Sequence, residues 1–185
     1  MSKRVLLGVT GSIAAYKSAE IVRALSKNGC EVRCVLTEAA SRFVTPLTLS
    51  VLSRYPVATQ WHDPSLWDMA HLTLASWADL VLVAPASADF ISLLAQGRAS
   101  GLLDGLILSS GAAVAICPAM DEEMWLHPAT RRNVETIKTY GYQVWGPDKG
   151  SLASGKVGWG RLLSPEDIVR QSLALLGKAK KKNAR

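Results

Sequence analysis

Acidic and apolar residues that could together grip a ligand stand at residues 116–125, ICPAMDEEMW, where an apolar run ends. Asp121, Glu122 and Glu123 suit the positive end of a helix dipole, so ordinary capping explains the three acids. Capping does not explain the methionines and the tryptophan beside them. Acids with large apolar neighbours suit a ligand that has a polar head and a flat ring, so a ligand site stands beside capping as the second hypothesis.

A second candidate site is the stretch GVTGSIAAYK, residues 8–17, which places Gly8, Gly11 and Ser12 at a predicted turn between a strand and a helix. Backbone N–H groups at such a turn, together with the helix dipole, bind phosphate. The spacing matches neither the GxGxxG dinucleotide fingerprint nor a P-loop. A tight turn with a serine cap therefore remains open as the alternative to a phosphate site.

Three single residues are further candidates for contacts with a ligand. Thr37, at the predicted end of the second strand, is placed to hydrogen-bond a ligand, and Phe43 is placed to cover an aromatic ring. Histidine titrates near neutral pH, which suits His71 to proton abstraction if it lines a cleft. The simpler alternatives are capping for Thr37, packing for Phe43, and a surface or satisfied core position for His71.

The stretch LASGKVGWGRL, residues 152–162, is rich in glycine and contains Ser154, Lys156, Trp159 and Arg161. The glycines predict a mobile loop, and loops of this composition often act as lids over ligands. A plain surface connection is the alternative, although it does not explain a tryptophan between two glycines.

The rest of the chain alternates apolar runs with helical patterns, and these elements must position the candidate residues. Strands are predicted at 4–11, 31–37, 78–87, 112–120 and 142–147, and helices at 12–29, 88–97, 129–141 and 164–177, with a helical turn at 38–43. Nearly continuous apolar strands between helices predict a doubly wound parallel sheet, a Rossmann or flavodoxin-like α/β fold with three α/β/α layers. Ligands bind such sheets outside the carboxyl ends of the strands, where the candidate residues fall.

Two segments stand apart from this pattern. Residues 44–77 contain three prolines and scattered tryptophans, which suggest irregular structure or a surface for a partner. Residues 178–185 form a basic tail or linker, so that the predicted domain covers residues 1–177.

Composition and charge argue against several classes of function. The chain is 49% apolar and 19% charged, as ordinary globular proteins are. Five basic residues of 178–185 account for most of the net charge of +6, so no nucleic-acid partner is expected. No apolar run reaches the ~18 residues of a membrane span and no signal peptide opens the chain, which predicts a cytoplasmic protein. Cys30, Cys34 and Cys117 fit no metal-ligand spacing, and no metal is predicted.

Five stretches, in this order along the chain, carry a resemblance to a known family: GVTGSIAAYKS, TEAASRFV, AHLTLASWADLVLVAPASA, PAMDEEMW and ASGKVGWGRL. As a set they resemble the homo-oligomeric flavin-containing cysteine decarboxylases, and they are most similar to the phosphopantothenoylcysteine decarboxylase branch of coenzyme A biosynthesis. The resemblance implies FMN as cofactor, a small-molecule cysteine conjugate as substrate, and a homotrimer or dodecamer. It also implies a ligase domain, fused or separate.

The resemblance further implies roles for individual residues. FMN contacts are implied for Gly11, Ser12, Ile13, Thr37, Phe43, Ser87 and Met120. Substrate contacts are implied for Asp121, Met124, Ala153 and Lys156. Catalytic roles are implied for His71 and Ser154. The segment 118–125 would hold the substrate carboxylate, and 153–162 would form a flap over the substrate.

Three positions depart from the pattern of the family. Asp121 stands where the family has asparagine, and two carboxylates ~4 Å apart repel by roughly 4 kcal/mol at an effective dielectric constant of ~20. Asp121 is therefore expected to be protonated, paired with Lys156 or Arg161, or turned away. Ser154 stands where the coenzyme A branch has cysteine, and a hydroxyl is a far weaker acid than a thiol of pKa ~8.5. Asp89–Phe90 stands where the family has Asn–Thr, which weakens the assignment of a flavin contact there.

These residues support three hypotheses of function. In the first, FMN oxidises the cysteine thiolate of 4′-phosphopantothenoylcysteine to a thioaldehyde and carbon dioxide leaves as an enethiolate forms; an acid then protonates the enethiolate and the reduced flavin returns the hydride, which gives 4′-phosphopantetheine. In the second, which Ser154 suggests, an oxidative peptidyl-cysteine decarboxylase releases the enethiol. In the third, which the departures together suggest, the chain is a non-catalytic flavin-binding regulatory protein.

Overall fold

The chain folds around one five-stranded parallel sheet whose faces are both covered by helices. The structure is a computed structural model that describes residues 2–61 and 70–182, with the side chains of residues 70, 71 and 178–182 excepted. The strands of the sheet, in the spatial order β2-β1-β3-β4-β5, are β1 (Lys3–Val9), β2 (Cys30–Leu36), β3 (Leu80–Ala86), β4 (Ala113–Pro118) and β5 (Gln143–Val144). A separate antiparallel hairpin consists of β6 (Asp148–Ser151) and β7 (Val157–Arg161).

Helices connect the strands. They are α1 (Ser18–Lys27), α2 (Pro46–Ser53), α3 (Ala70–Trp77), α4 (Ala88–Ala95), α5 (Leu102–Ser109), α6 (Glu122–Leu126), α7 (Pro128–Thr139) and α8 (Pro165–Lys182). Two short 3-10 helices, Ile13–Lys17 and Ala40–Arg42, follow β1 and β2. Within the described ranges, every helix is too short or too polar to span a bilayer.

The predicted doubly wound α/β fold is confirmed, and its strands are apolar because both faces of the sheet are covered. In β1, alternate residues reach opposite cores, with Val5, Leu7 and Val9 on one face and Leu6 on the other. Helices α1, α2 and α8 contribute to the first core, and α3, α4, α5 and α7 contribute to the second. The strand order reverses between β1 and β3, which places a crevice at the carboxyl ends of these two strands.

The prediction of irregular structure for residues 44–77 is wrong where α2 and α3 lie. Thr45 caps α2, since its Oγ1 accepts a hydrogen bond from the Thr48 N–H at 3.2 Å, and Pro46 occupies the first turn. Proline suits that position because its missing N–H would have no partner inside the helix anyway. Residues 62–69 lie outside the described residues.

Three other elements differ from the prediction. Helix α5 does not appear in the sequence pattern because residues 102–107 are all buried, so no polar face marks a helical period. The stretch 152–162 is not simply a loop, because its second half forms β7 and pairs with β6. Helix α8 also continues past Gly177, the predicted end of the domain.

Candidate active site

A cavity of about 700 Å³ lies at the carboxyl ends of β1, β3 and β4. One side, which we call the strand-end wall, includes the predicted residues Gly11, Ser12, Ile13, Phe43 and Ser87. The other side, which we call the hairpin wall, includes the predicted residues Met120, Asp121, Met124, Ala153 and Ser154. The fold therefore brings ten of the predicted site residues to one cavity.

The strand-end wall begins at the turn after β1. Ser12 caps the following 3-10 helix, since its Oγ accepts a hydrogen bond from the Ala14 N–H at 3.4 Å and donates one to the Ala119 carbonyl at 3.2 Å. A Cβ at Gly11 would lie 2.6 Å from the Cβ of Ala39, so that only glycine fits between the turns after β1 and β2. This turn therefore brings backbone and a short polar side chain close to the cavity.

Thr10, to which the sequence assigned no role, supports this wall without lining the cavity. It is fully buried, its Oγ1 donates to the Pro85 carbonyl at 2.9 Å, and the same oxygen accepts from the Ser87 N–H at 2.8 Å. Ser87 in turn caps α4, accepting from the Phe90 N–H at 3.2 Å. Thr10 thus ties the end of β1 to the end of β3, which holds the crevice between the two strands in shape.

The hairpin wall is built from the segment after β4 and from the β6–β7 hairpin. The Met120 N–H donates to the Gly160 carbonyl at 3.0 Å, and the Trp159 N–H donates to Oε1 of Glu122 at 2.8 Å. The hairpin therefore packs directly against the start of α6. Its turn brings Leu152, Ala153 and Ser154 to the cavity.

Asp121 lies at the centre of this contact and caps α6. One carboxylate oxygen accepts from the Glu123 N–H at 3.3 Å, and the other accepts from the Ser154 hydroxyl at 2.7 Å. The pKa of the Asp121 carboxyl is lowered chiefly by the hydrogen bond from Ser154, then by the backbone of Glu123, and also by the charge of Lys156. The carboxylate is thus stabilised in its ionised form mainly by the Ser154 hydroxyl, and the charge of Lys156 contributes less.

Two cationic side chains line the cavity. Arg161 pairs with Asp148 across the hairpin at 3.4 Å. Lys17, to which the sequence assigned no site role, lies across the cavity at the end of the 3-10 helix after β1. Within the described ranges Lys17 makes no ion pair. An anionic ligand in the cavity therefore has one cation available without breaking a salt bridge.

Among the residues whose side chains the structure describes, two predicted site residues, Thr37 and Lys156, do not line the cavity. Thr37 uses its Oγ1 to accept from the Ala40 N–H at 3.2 Å, which is the capping alternative. Lys156 lies beyond the hairpin turn, exposed to solvent. His71 lies in α3, and its side chain is outside the described residues. At the third departure from the family pattern, Phe90 is buried in the core.

Comparison with known proteins identifies the family of this chain. The model of the family described as "Flavoprotein" matches residues 1–177. The chain belongs to the flavoprotein family. It is 46% identical over 173 residues to the coenzyme A biosynthesis bifunctional protein CoaBC of Escherichia coli strain K12, an alignment that covers 93% of this chain and 43% of CoaBC.

Solved structures show the same fold in this flavoprotein family. A cysteine-to-serine mutant of PPC decarboxylase, complexed with pantothenoylaminoethenethiol, superposes with a TM-score of 0.85 at 30% identity, covering 94% of this chain and 98% of that protein. The FMN-dependent cysteine decarboxylase SpaF superposes with a TM-score of 0.83 at 28% identity, covering 96% and 97%. The chain spans less than half the length of the bifunctional relative but nearly all of these two structures.

Proposed function

We propose that this flavoprotein catalyses the FMN-dependent decarboxylation of 4′-phosphopantothenoylcysteine to 4′-phosphopantetheine in coenzyme A biosynthesis. The observation that carries the proposal is the single cavity at the switch point of the sheet, which gathers ten predicted residues in a chain 46% identical to CoaBC. Ligand cavities of ~300–1,000 Å³ are typical of cofactor sites, and this one has about 700 Å³.

FMN is the cofactor of this family, and the strand-end wall fits its parts. Gly11 and Ser12 line the cavity at the turn after β1, where the start of a helix suits a phosphate. Phe43, about half exposed, and Ile13 offer apolar surface for a flat ring. When bound, FMN supplies the redox chemistry, and the protein supplies its position and the control of protons.

The hairpin wall is the side that we assign to the substrate. A carboxylate group on the substrate is attracted by Lys17 and repelled by Asp121, so the substrate acid is expected on the Lys17 side of the cavity. His71 remains the proposed base that takes the proton of the substrate thiol. Met124, which is 49% exposed, offers apolar surface for the acyl chain.

A flavin-binding assay and identification of the product test the proposal together. Purified protein soaked with FMN and desalted should keep flavin absorbance, and with 4′-phosphopantothenoylcysteine it should release carbon dioxide. His71→Asn should retain flavin and lose carbon dioxide release. Colourless wild-type protein after the soak, or full activity in the histidine variant, contradicts the corresponding assignment.

A second candidate function is favoured by the bond between Ser154 and Asp121. Serine is a weak acid, and its hydroxyl hydrogen is already donated to a carboxylate at 2.7 Å, so it is a poor source of the proton that converts an enethiolate into the final thiol. The PPC decarboxylase that holds an enethiol also carries a serine in place of a cysteine. If the chain has this second function, it releases the enethiol. Mass spectrometry distinguishes the two products, because the enethiol has two hydrogens fewer than phosphopantetheine.

We also propose a homotrimer or dodecamer, a cytoplasmic location and a ligase partner, fused or separate. Apolar side chains that line the cavity are exposed, among them Ile13 at 59% and Tyr16 at 56%, and so is Leu47 of α2, at 72%. A second copy of the chain would cover them and complete the open side of the site. Light scattering should give the mass of a trimer or of four trimers, and Leu47→Lys should reduce that mass.

A further inference from the structure

Three hydrogen bonds join the β6–β7 hairpin to the segment that starts α6. One is between backbones, from the Met120 N–H to the Gly160 carbonyl at 3.0 Å. The other two end on carboxylates, from the Trp159 N–H to Glu122 at 2.8 Å and from the Ser154 hydroxyl to Asp121 at 2.7 Å. The contacts are spread from the hairpin turn to the end of β7, so they hold the hairpin along its length.

The glycines of β7 fit this contact rather than a mobile loop. A Cβ at Gly158 would lie 2.5 Å from the carboxylate carbon of Glu122, and a Cβ at Gly160 would overlap the Met120 carbonyl oxygen. At Gly160 the clash is with backbone, so only glycine allows β7 to approach the segment before α6 so closely, whereas at Gly158 a Cβ would displace the end of the Glu122 side chain. The prediction that these glycines make a mobile loop is therefore replaced by close packing.

Asp121 is poorly suited to bind a substrate carboxylate. Its two carboxylate oxygens accept from the Glu123 N–H and from the Ser154 hydroxyl. It is also ionised, so it repels a substrate carboxylate instead of binding it. The role that the family resemblance implies for this position, contact with the substrate carboxylate, therefore does not suit the residue present.

We propose that Asp121 and Glu122 are positioning residues, which act on the substrate through the hairpin that their carboxylates hold closed. Asp121 fixes Ser154 and the turn that lines the cavity, and Glu122 fixes Trp159 and β7. Substrate binding then depends on both carboxylates although neither touches the substrate. The part of this inference that concerns substrate rests on the proposed decarboxylase function, whereas the closure of the hairpin does not.

Hydrogen exchange of the FMN-soaked protein tests the closure directly. Glu122→Ala should speed exchange of the Trp159 amide at least tenfold, whereas Glu122→Gln keeps an acceptor and should restore most of the protection. Asp121→Ala and Ser154→Ala should each speed exchange in residues 152–156, and the double variant should be no faster than either single one. Asp121→Asn keeps an acceptor and is the matched control.

Steady-state kinetics with 4′-phosphopantothenoylcysteine test the positioning role. The two alanine variants of the acids should raise KM about tenfold with a smaller change in kcat and with unchanged flavin content, and the amide variants should recover KM. Ser154→Ala removes only an exposed hydroxyl. If amide exchange is unchanged in both Glu122→Ala and Ser154→Ala, the proposed closure of the hairpin is wrong. Faster exchange with an unchanged KM overturns the positioning role. If wild-type protein releases no carbon dioxide, the proposed function fails while the exchange experiment still decides the closure.

Discussion

The two walls of the cavity are built in different ways. The strand-end wall consists of turns with short side chains at the ends of buried strands, together with Ile13 and Phe43, and the fully buried Thr10 ties the strand ends together. The hairpin wall is more exposed and depends on side-chain carboxylates that reach from one segment to another. Two residues that line the cavity, Asp121 and Ser154, depart from the family pattern, and both lie in the hairpin wall. We infer that the first wall is set by the fold and serves the common cofactor, whereas the second adapts the site to its own substrate.

The largest expected effect comes from Gly11→Ala in the strand-end wall. The new Cβ would lie 2.6 Å from the Cβ of Ala39, which is fixed to the backbone and cannot swing away. Overpacking of this kind costs about 1–3 kcal/mol, so we expect FMN affinity to fall about 10- to 100-fold. Flavin fluorescence titration measures the change.

Gly111→Ala is the matched control, since a Cβ there meets no atom within 4 Å. It should leave FMN affinity and thermal stability unchanged. If Gly11→Ala binds FMN as tightly as the control does, the strand-end wall does not hold the cofactor and the contrast between the two walls fails.

Gly160→Ala should disturb the hairpin wall and leave the binding of FMN unchanged. Its Cβ would overlap the Met120 carbonyl oxygen, and the φ angle of +131° is one that L-amino-acid side chains rarely adopt. The hairpin must move away from α6, so KM for 4′-phosphopantothenoylcysteine should rise about tenfold. Flavin affinity should stay within twofold of the wild type. If flavin affinity falls as much as KM rises, the two walls act as one unit.

The same contrast explains which parts of the site could be predicted from the sequence. Ser12 and Ser87 directly follow apolar runs, and the ends of parallel strands meet at one rim, so local pattern was enough to place them. The Asp121–Ser154 bond joins residues 33 positions apart, and nothing local signals that a hydroxyl will meet that carboxylate. Gly158 and Gly160 indicated flexibility, whereas the space they leave is filled by Glu122 and Met120 from another segment.

Lys17 should have a smaller effect, and its substitution decides which wall binds the substrate anion. It lines the cavity without an ion pair among the described residues. A partly exposed ion pair contributes up to about 1 kcal/mol, so Lys17→Met should weaken binding of its anion about fivefold, and less at high salt. Lys27→Met, outside this cavity, is the control.

Paired ligands identify the anion that Lys17 binds. If the anion is the substrate phosphate, KM should rise for 4′-phosphopantothenoylcysteine and not for pantothenoylcysteine. If it is the cofactor phosphate, affinity should fall for FMN and not for riboflavin. An equal effect on all four ligands contradicts a contact between Lys17 and a phosphate and shows that the substitution acts through the shape of the cavity.

The smallest expected effect is a pH dependence confined to the hairpin wall. Because the pKa of Asp121 is lowered in the folded protein, its bond with Ser154 contributes fully above the unfolded carboxyl pKa of about 3.9 and is lost as pH falls through the lower folded value. In a Glu122→Gln background, which removes the other carboxylate from the hairpin contact, protection of residues 152–156 should be flat from pH 7 to about 4 and decline only below that. Asp121→Asn in the same background cannot titrate and should remove the decline over the range where the far-UV circular dichroism is constant. A decline that begins near pH 6, or one that persists in the asparagine variant, would show that a titrating group other than the carboxylate of Asp121 governs the hairpin.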